Sequence, residues 1–397
     1  MLQLKKNDSN EESGLLSEAV IVSAVRTAIA RKGGALQNLS PQEYGANVVE
    51  EAVNRAGLEG NEIDDVIFGN CLAGGGNIAR YVALKSNLSI DTPGMTIDRQ
   101  CGSGINAVAL AAQAIQAGSG SVYVAGGSES MTLTPQLIGA VNGRVQFVDR
   151  PLSPKEIGNP PMGITAENLA EKYEISRLEQ DQYALMSQER MEKAVESGYF
   201  NEQILPLTLR QRKGDPIIFA KDEHPRPNTT IEALSKLPAV FKKDGTVTAG
   251  NSSGINDAAA ALVVMSREEA EKRGLESLGT VKSFAVAGCD PNIMGIGPVP
   301  AVKKLLEKEK LTLEEIDLIE LNEAFASQVL ACSKELNLDM EKVNVNGGAI
   351  AHGHPIAATG AILVTKMVYE MKRRNAKRGI VTACIGGGQG IALLIER

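Results

Sequence analysis

The sequence predicts an α/β protein made of two related halves, with a less regular segment between them. Three observations indicate this fold. Short apolar runs alternate with helical stretches, a short pattern recurs at a fixed offset, and residues 129–247 hold most of the 16 prolines. The 397 residues, 43% of them apolar, are enough for two to three domains with large buried cores.

The predicted strands are apolar runs with few polar interruptions, which is typical of strands buried on both faces. In chain order they cover residues 19–25, 65–70, 121–127, 260–265, 317–322, 342–348 and 379–388. Apolar residues at helical spacing predict a helix over 105–115. One long amphipathic helix is predicted over 167–197, inside the irregular segment.

An internal repeat relates the two halves. The tripeptide Glu-Ile-Asp at 62–64 recurs at 315–317, an offset of 253 residues, and each copy leads into a predicted strand. Cys101 and His354 are separated by the same 253 residues, so they correspond to each other in the repeat. Both are expected at a corner where a strand gives way to a turn of small residues and then to a helix. The pattern therefore predicts a duplication that places these two residues at equivalent positions.

Composition and charge exclude several classes of protein. The net charge of −7 leaves no overall basic surface for nucleic acid or an anionic membrane. The longest apolar run, 258–265, is far shorter than the ~18 residues of a membrane span. Residues 1–17 are polar, look like a loose tail and contain no hydrophobic signal region. Five cysteines without metal-ligand spacing predict reduced thiols, a cytoplasmic location and no metal site.

Two residues are candidates for nucleophilic chemistry. Cys101, in TIDRQCGSG, is expected at the first turn of a helix, where free N–H groups and the helix dipole favour the thiolate. The alternative for Cys101 is a small buried apolar residue, which the glycine-rich turn disfavours. His354, in GGAIAHGHP, is the candidate base. Its alternatives are a structural histidine or, with His352, a metal pair that lacks further ligands.

Two further residues could support that chemistry. Cys384 precedes a glycine run that lacks the lysine and the spacing of nucleotide-binding loops. The run is better suited to form an oxyanion hole, beside which a thiol could move a proton. Asn322 closes a predicted strand and could orient a water molecule or merely cap the next helix. The chain has no GxSxG motif, which disfavours a serine hydrolase.

Taken together, these motifs closely resemble the thiolase family. Nine motifs occur in order between residue 19 and the end of the chain: VRTA, DRQCGSG, GGSESM, MGITAEN, DEHPR, DGTVTAGNSSGIND, LNEAFA, GGAIAHGHP and CIGGGQG. The resemblance implies a five-layered αβαβα core built from two βαβαβαββ halves. The first half would comprise 18–128 and 248–272, the second 273–397, and the loop domain 129–247 would be inserted into the first.

The resemblance also implies roles for the candidate residues. Cys101 would accept the acyl group, His354 would activate it, and Cys384 would exchange a proton with the second acyl group. Asn322, through a water, and His354 would form one oxyanion site, and the N–H groups of Cys101 and Gly386 the other. Four positions match residues of the substrate channel for the acyl group and coenzyme A: Met162, Arg226, Ala249 and Ser253.

The implied activity is the reversible condensation of two acetyl-CoA molecules to acetoacetyl-CoA and CoA, by homodimers or homotetramers. Coenzyme A thioesters would be substrates, and no cofactor is expected. Proline at 161 replaces a histidine of many biosynthetic relatives, and the segment 131–162 is shorter, both as in broad-range degradative thiolases. Cys384 disfavours a decarboxylating ketoacyl synthase. A non-catalytic acyl-CoA-binding protein is a further alternative, and redox sensing by Cys101 and Cys384 would be compatible with catalysis.

Overall fold

A computed structural model describes residues 17–73, 75–148, 150–211 and 213–397, so the tail predicted at 1–17 lies outside the described residues except for Ser17. The strands of the described chain are β1 (Ala19–Thr27), β2 (Ala30–Arg31), β3 (Asp65–Gly69), β4 (Gly94–Ile97), β5 (Val122–Ser130), β6 (Ile138–Val141), β7 (Arg144–Phe147), β8 (Ile204–Leu205), β9 (Leu207–Leu209), β10 (Ile217–Phe219), β11 (Asn256–Ser266), β12 (Gly279–Gly288), β13 (Leu318–Leu321), β14 (Arg378–Ile385) and β15 (Gln389–Glu396). Its α-helices are α1 (Pro41–Arg55), α2 (Ile78–Lys85), α3 (Ser103–Gln116), α4 (Met162–Lys172), α5 (Arg177–Glu196), α6 (Ile231–Ser235), α7 (Arg267–Lys272), α8 (Pro298–Glu309), α9 (Ala326–Leu336), α10 (Ala349–His352) and α11 (Ile356–Arg374).

Each half contributes one sub-sheet, and the two follow the same pairing pattern. The first has the spatial order β1-β11-β5-β3-β4 and the second β12-β15-β14-β13. In both, two antiparallel pairings are followed by a parallel one. The sub-sheets are joined where β1 pairs with β12 over two residues. This shared topology is what a duplication predicts.

The helices complete five layers. Helices α3 and α11 lie between the sub-sheets and share one apolar core with both. Helix α1 covers the outer face of the first sub-sheet, and α8 and α9 cover that of the second. The predicted αβαβα architecture is therefore confirmed.

Burial on both faces explains why β11 is an uninterrupted apolar run. Its even-numbered apolar residues, such as Leu262 and Val264, face the central core, whereas Val263 and Met265 face the outer one. Successive side chains of a strand point to opposite faces, so a strand packed on both sides needs apolar residues throughout.

The two central helices cross at glycine. A Cβ on Gly104 of α3 would lie 2.3 Å from the nitrogen of Ala361, and one on Gly360 of α11 would lie 2.3 Å from the nitrogen of Ile105. Only glycine permits this backbone approach. It brings the N-terminal ends of α3 and α11 together, and each of these ends follows one of the two predicted corners.

Two predicted elements are wrong. Residues 342–348 form a single bridge, Ile319 to Val343, because Asn344 has φ +47° and its side chain instead bonds the backbone of Leu321. The single helix over 167–197 is two helices, α4 and α5. Glu174 at φ +51° separates them, and Ser176 caps the start of α5.

The irregular segment leaves the first sub-sheet after β5 and returns at β11, two strands that are neighbours in that sheet. It contains the hairpins β6–β7 and β9–β10 and the helices α4, α5 and α6. Within the described ranges, none of the helices is long and apolar enough to cross a membrane.

Candidate active site

Cys101 lies in a tight turn between β4 and α3. The turn is a 3₁₀ helix over Gln100–Gly102, and Ser103 braces it by accepting the Arg99 N–H at 2.9 Å and donating to the Gln100 carbonyl at 2.7 Å. Gly102 packs against Ile385, where a Cβ would lie 2.7 Å from that side chain. The cysteine is thus presented at the helix start, at the predicted corner.

His354 lies directly before α11, and its ring reaches Cys101. The Nε2 atom is 3.2 Å from the Cys101 Sγ, and the Nδ1 atom is 2.6 Å from the Thr359 hydroxyl. The His354 N–H donates to the Asn256 Oδ1 at 3.0 Å. The corner differs from the prediction in one respect: the short helix α10, not a strand, precedes it.

The environment of the pair sets the tautomer of His354. The Cys101 thiol and the Asn322 amide nitrogen, 3.4 Å away, are both donors that face Nε2. Nε2 therefore accepts, and the ring proton sits on Nδ1, where it donates to the Thr359 oxygen. A base that takes the thiol proton needs this tautomer.

Burial keeps both partners neutral at rest. It raises the pKa of the Cys101 thiol to about 11, although the N–H groups of Gly386 and of Cys101 itself oppose this shift. It lowers the pKa of His354 to about 4. The expectation that the helix start would favour the thiolate is therefore outweighed, because removing a charge from water costs more than these two hydrogen bonds return.

Asn322 is fully buried beside His354 and has an unused acceptor. Its Oδ1 atom finds no hydrogen-bond partner among the described residues. Helix α9 begins at Ala326 with Phe325 at the N-cap, so the alternative role of Asn322 as helix cap does not hold. A buried amide oxygen without a partner is suited to accept from a water or a substrate.

Cys384 ends β14 in an apolar pocket. It is fully buried in a cluster with Met294, Phe325 and, at its edge, the predicted substrate residue Met162. Burial first, and then the nearby Cys101, raises the pKa of the Cys384 thiol well above its usual range. Cys384 is thus a protonated thiol that faces the same site as the nucleophile.

A glycine turn follows Cys384 and supplies a donor. The Gly386 N–H faces the Cys101 sulfur and opposes the rise in the pKa of that thiol. Gly387 and Gly388 have φ of +85° and +83°, a conformation that side chains disfavour. The geometry brings together all five predicted catalytic residues, Cys101, His354, Cys384, Asn322 and Gly386.

The other predicted substrate residues lie nearer the protein surface than the catalytic residues. Ser253 is half-buried, and its N–H donates to the carbonyl of Ala324 at 3.0 Å, close to Asn322. Ala249 and Arg226 are exposed, and Gln188 holds the backbone of Arg226 at 3.0 Å. In the described part of the chain, no group of three or more acidic, histidine or cysteine residues could hold a metal ion.

Sequence reasoning missed two residues that hold His354. Asn256 fixes the backbone of His354, and Thr359 fixes its ring. Asn256 lies within the motif NSSGIND, and Thr359 follows His354 by five residues. Neither spacing reveals which atom each side chain reaches.

Comparisons with known proteins find similarity along nearly the whole chain. A family model described as "Thiolase, N-terminal domain" matches residues 19–268, and "Thiolase, C-terminal domain" matches 275–397. An acetyl-CoA acetyltransferase of Chromobacterium violaceum is 47% identical over 96% of this chain and all of its own. The crystal structure of the Bacillus anthracis acetyl-CoA acetyltransferase superposes with a TM-score of 0.91 at 46% identity, covering 96% of this chain and 99% of that one.

The human mitochondrial 3-ketoacyl-CoA thiolase in complex with CoA is more distant. It has a TM-score of 0.89 and 41% identity, covering 96% of this chain and 98% of that one.

Proposed function

This chain belongs to the thiolase family, and from that premise we propose that it is an acetyl-CoA acetyltransferase, which condenses two acetyl-CoA molecules to acetoacetyl-CoA and CoA and catalyses the reverse thiolysis. The observation that carries the proposal is the 3.2 Å contact between the Cys101 Sγ and the His354 Nε2, made across the two halves. A thiol beside a neutral imidazole is the arrangement needed for an acyl-cysteine intermediate.

In the first half-reaction His354 takes the thiol proton as the Cys101 sulfur attacks the thioester carbonyl. The carbonyl oxygen becomes negative and can be held by the N–H groups of Cys101 and Gly386. Collapse of this intermediate breaks the carbon–sulfur bond, and the CoA thiolate leaves with the proton of the Cys384 thiol. Cys384 is then a thiolate, and His354 keeps the proton of Cys101 on Nε2. The product is acetyl-Cys101.

In the second half-reaction the Cys384 thiolate formed in the first removes a proton from the α-carbon of another acetyl-CoA and becomes a thiol again. The resulting enolate oxygen would accept from the protonated Nε2 of His354 and from a bridging water that the free Oδ1 of Asn322 can anchor. The carbanion then attacks acetyl-Cys101, forming the carbon–carbon bond and releasing the Cys101 sulfur, which takes its proton back from His354. Both reactants are coenzyme A thioesters, so this scheme requires no further cofactor or metal.

The two cysteines provide the test. Incubation with acetyl-CoA should acetylate Cys101, as detected by mass spectrometry, and prior alkylation of Cys101 should prevent it. Cys384→Ala should still be acetylated but should lose condensation and thiolysis. Cys332→Ala is the matched control, since Cys332 is equally buried but bonds the Gly295 carbonyl. An enzyme that never becomes acetylated would favour the acyl-CoA-binding alternative, and full activity of Cys384→Ala would refute its role.

A broad-range 3-ketoacyl-CoA thiolase is the second candidate. It is favoured by Pro161, which stands at the N-cap of α4 beside Met162 in place of a histidine. The human 3-ketoacyl-CoA thiolase structure supports it as well, since it superposes along nearly the whole chain. Equal thiolysis rates with acetoacetyl-CoA and with longer substrates would decide for this candidate.

Two further properties are proposed with the activity. β4 is the edge of the large sheet, and Met95 on it is 42% exposed, beside the exposed Tyr81 and Leu84 of α2. We expect a second copy of the chain to cover this face, and a monomeric mass in light scattering would contradict that.

The five free cysteines support a reducing, cytoplasmic location, which fractionation of the source cells would test.

A further inference from the structure

Glu323, in the motif LNEAFA, is a fully buried carboxylate outside the reacting groups. Its Oε1 atom accepts the Tyr183 hydroxyl at 2.8 Å and the Asn344 Nδ2 at 3.0 Å. Its Oε2 atom accepts the Ser187 hydroxyl at 2.7 Å and the Ile350 N–H at 3.0 Å. All four partners are neutral donors. They take the place of water around the carboxylate, as a buried acidic group requires.

These four bonds join segments that are distant in the chain. Tyr183 and Ser187 lie on α5 of the irregular segment, and Ile350 lies on α10 of the second half. Gly348 is packed directly against Glu323, since a Cβ there would lie 2.3 Å from the Glu323 Cδ. The Gly348 N–H also donates to the Ser187 hydroxyl at 3.1 Å. Glu323 therefore fixes how α10 packs between α5 and the end of β13.

The two segments that Glu323 joins carry Asn322 and His354. Asn322 directly precedes Glu323, and His354 follows Ile350 by four residues. The Asn322 Nδ2 lies 3.4 Å from the His354 Nε2, and the Asn322 side chain has no other hydrogen-bond partner among the described residues. The separation of these two side chains therefore depends on how α10 is held against the end of β13.

We propose that Glu323 is a positioning residue for the enolate: its carboxylate sets the separation of Asn322 and His354 by joining β13 to α5 and α10. The inference rests on the proposed condensation, in which the enolate oxygen accepts from His354 and from a water on Asn322. The acetylation of Cys101 makes no use of Asn322, so it should depend less on Glu323.

The test variant is Glu323→Gln, which keeps the size of the side chain but replaces one oxygen by an NH2 group. The hydroxyl groups of Tyr183 and Ser187 can rotate to accept a bond from this group. The Ile350 N–H cannot, and the Asn344 amide cannot turn over because the backbone of β13 holds both its ends. In either orientation of the new amide, one of these two N–H groups therefore loses its acceptor.

The expected result is a loss that is specific to condensation. For Glu323→Gln, kcat for condensation should fall about 10- to 100-fold, the cost of misplacing a reacting group by about 1 Å. Single-turnover acetylation of Cys101, followed by mass spectrometry, should slow by at most about threefold, because His354 keeps its bonds to Asn256 and Thr359. The KM for acetyl-CoA should stay within about twofold, since protein donors occupy the Glu323 carboxylate.

Two further variants control for folding and for the loss of a buried charge. Glu370→Gln is the matched control, since the Glu370 side chain is 4% exposed and pairs with Arg373 and Arg374 at the end of α11 opposite His354. It should leave kcat for condensation within about twofold of the wild type. If Glu323→Gln does not fold, Tyr183→Phe removes one donor to the same carboxylate. It should lower kcat for condensation by about 3- to 10-fold and again slow acetylation less.

Three results would overturn the inference. Condensation within about twofold of the wild type in the Glu323 variant, or in Tyr183→Phe where that variant serves instead, would mean that the carboxylate positions nothing. Equal losses of acetylation and condensation would place the effect outside the enolate step. An equal loss in Glu370→Gln would assign it to any buried carboxylate. In each of these cases the wild type still condenses acetyl-CoA, so the proposed function stands. A wild type that is neither acetylated nor active would refute the proposed function and, with it, the inference.

Discussion

Replacing Thr359 by valine should slow catalysis, although Thr359 touches no substrate. Valine matches threonine in shape but cannot accept the Nδ1–H of His354, which now makes a 2.6 Å bond in a fully buried site. Leaving a buried donor unpaired costs about 1–3 kcal/mol. The ring is then free to take the other tautomer, in which Nε2 carries the proton and cannot accept the thiol proton. We therefore expect kcat/KM for acetoacetyl-CoA thiolysis to fall by about 5- to 150-fold.

Two variants separate this effect from a general loss of packing. Thr359→Ser keeps the hydroxyl and should retain most of the activity. Thr365→Val removes another fully buried hydroxyl from the same helix, one that bonds only the helix carbonyl of Ala361 among the described residues. It should lower the unfolding midpoint without a comparable loss of kcat/KM. If Thr359→Val stays within twofold of the wild type, or if Thr365→Val loses as much activity, the positioning role of Thr359 is refuted.

Two further predictions concern pH and stability. Since His354 has a pKa of about 4, it stays a neutral base above that pH, so kcat/KM should be flat from pH 6 to 8 and fall only as pH approaches about 4; an acid limb centred near 6.5 would contradict this. Asp222→Asn should lower the free energy of unfolding in urea by about 3–5 kcal/mol, because Arg26 loses its bidentate partner while both side chains are at most 3% exposed. Glu276→Gln, which breaks the surface pairs with Lys372 and Arg397, should cost at most about 1 kcal/mol, and equal losses would refute the distinction.

The parts of the fold that could be predicted are those where burial acts on consecutive residues. β11 is covered on both faces, so its apolar run is visible in the sequence. β12 was missed because Lys282 is exposed and several of its neighbours are half-buried, which interrupts the run. β15 carries an apolar run at 391–395, but this run directly follows the glycine turn and the predicted strand 379–388, and the pattern does not mark it as a separate strand.

The part of the site that could be predicted is the part that follows the internal repeat of the sequence. The 253-residue offset placed Cys101 and His354 at equivalent corners, and the structure brings these residues within 3.2 Å. The contacts of Thr359 and Asn256 depend instead on how far α11 is rotated and on where β11 begins. The local pattern of residues does not encode these quantities, because they follow from the packing of the two halves.

The opposite pKa shifts of Cys101 and His354 show why the site stays uncharged until substrate binds. The gap between pKa values of about 11 and about 4 corresponds to about 10 kcal/mol for moving the proton from sulfur to nitrogen. Attraction between the resulting charges at 3.2 Å returns about 5 kcal/mol at an effective dielectric of about 20. The remaining ~5 kcal/mol disfavours the ion pair in the free enzyme. Each N–H donor of an oxyanion hole can stabilise a negative oxygen by about 3–4 kcal/mol, but only when a thioester oxygen is bound there to accept its hydrogen bond. The thiolate therefore forms together with the bond to substrate, which protects an otherwise reactive cysteine between turnovers.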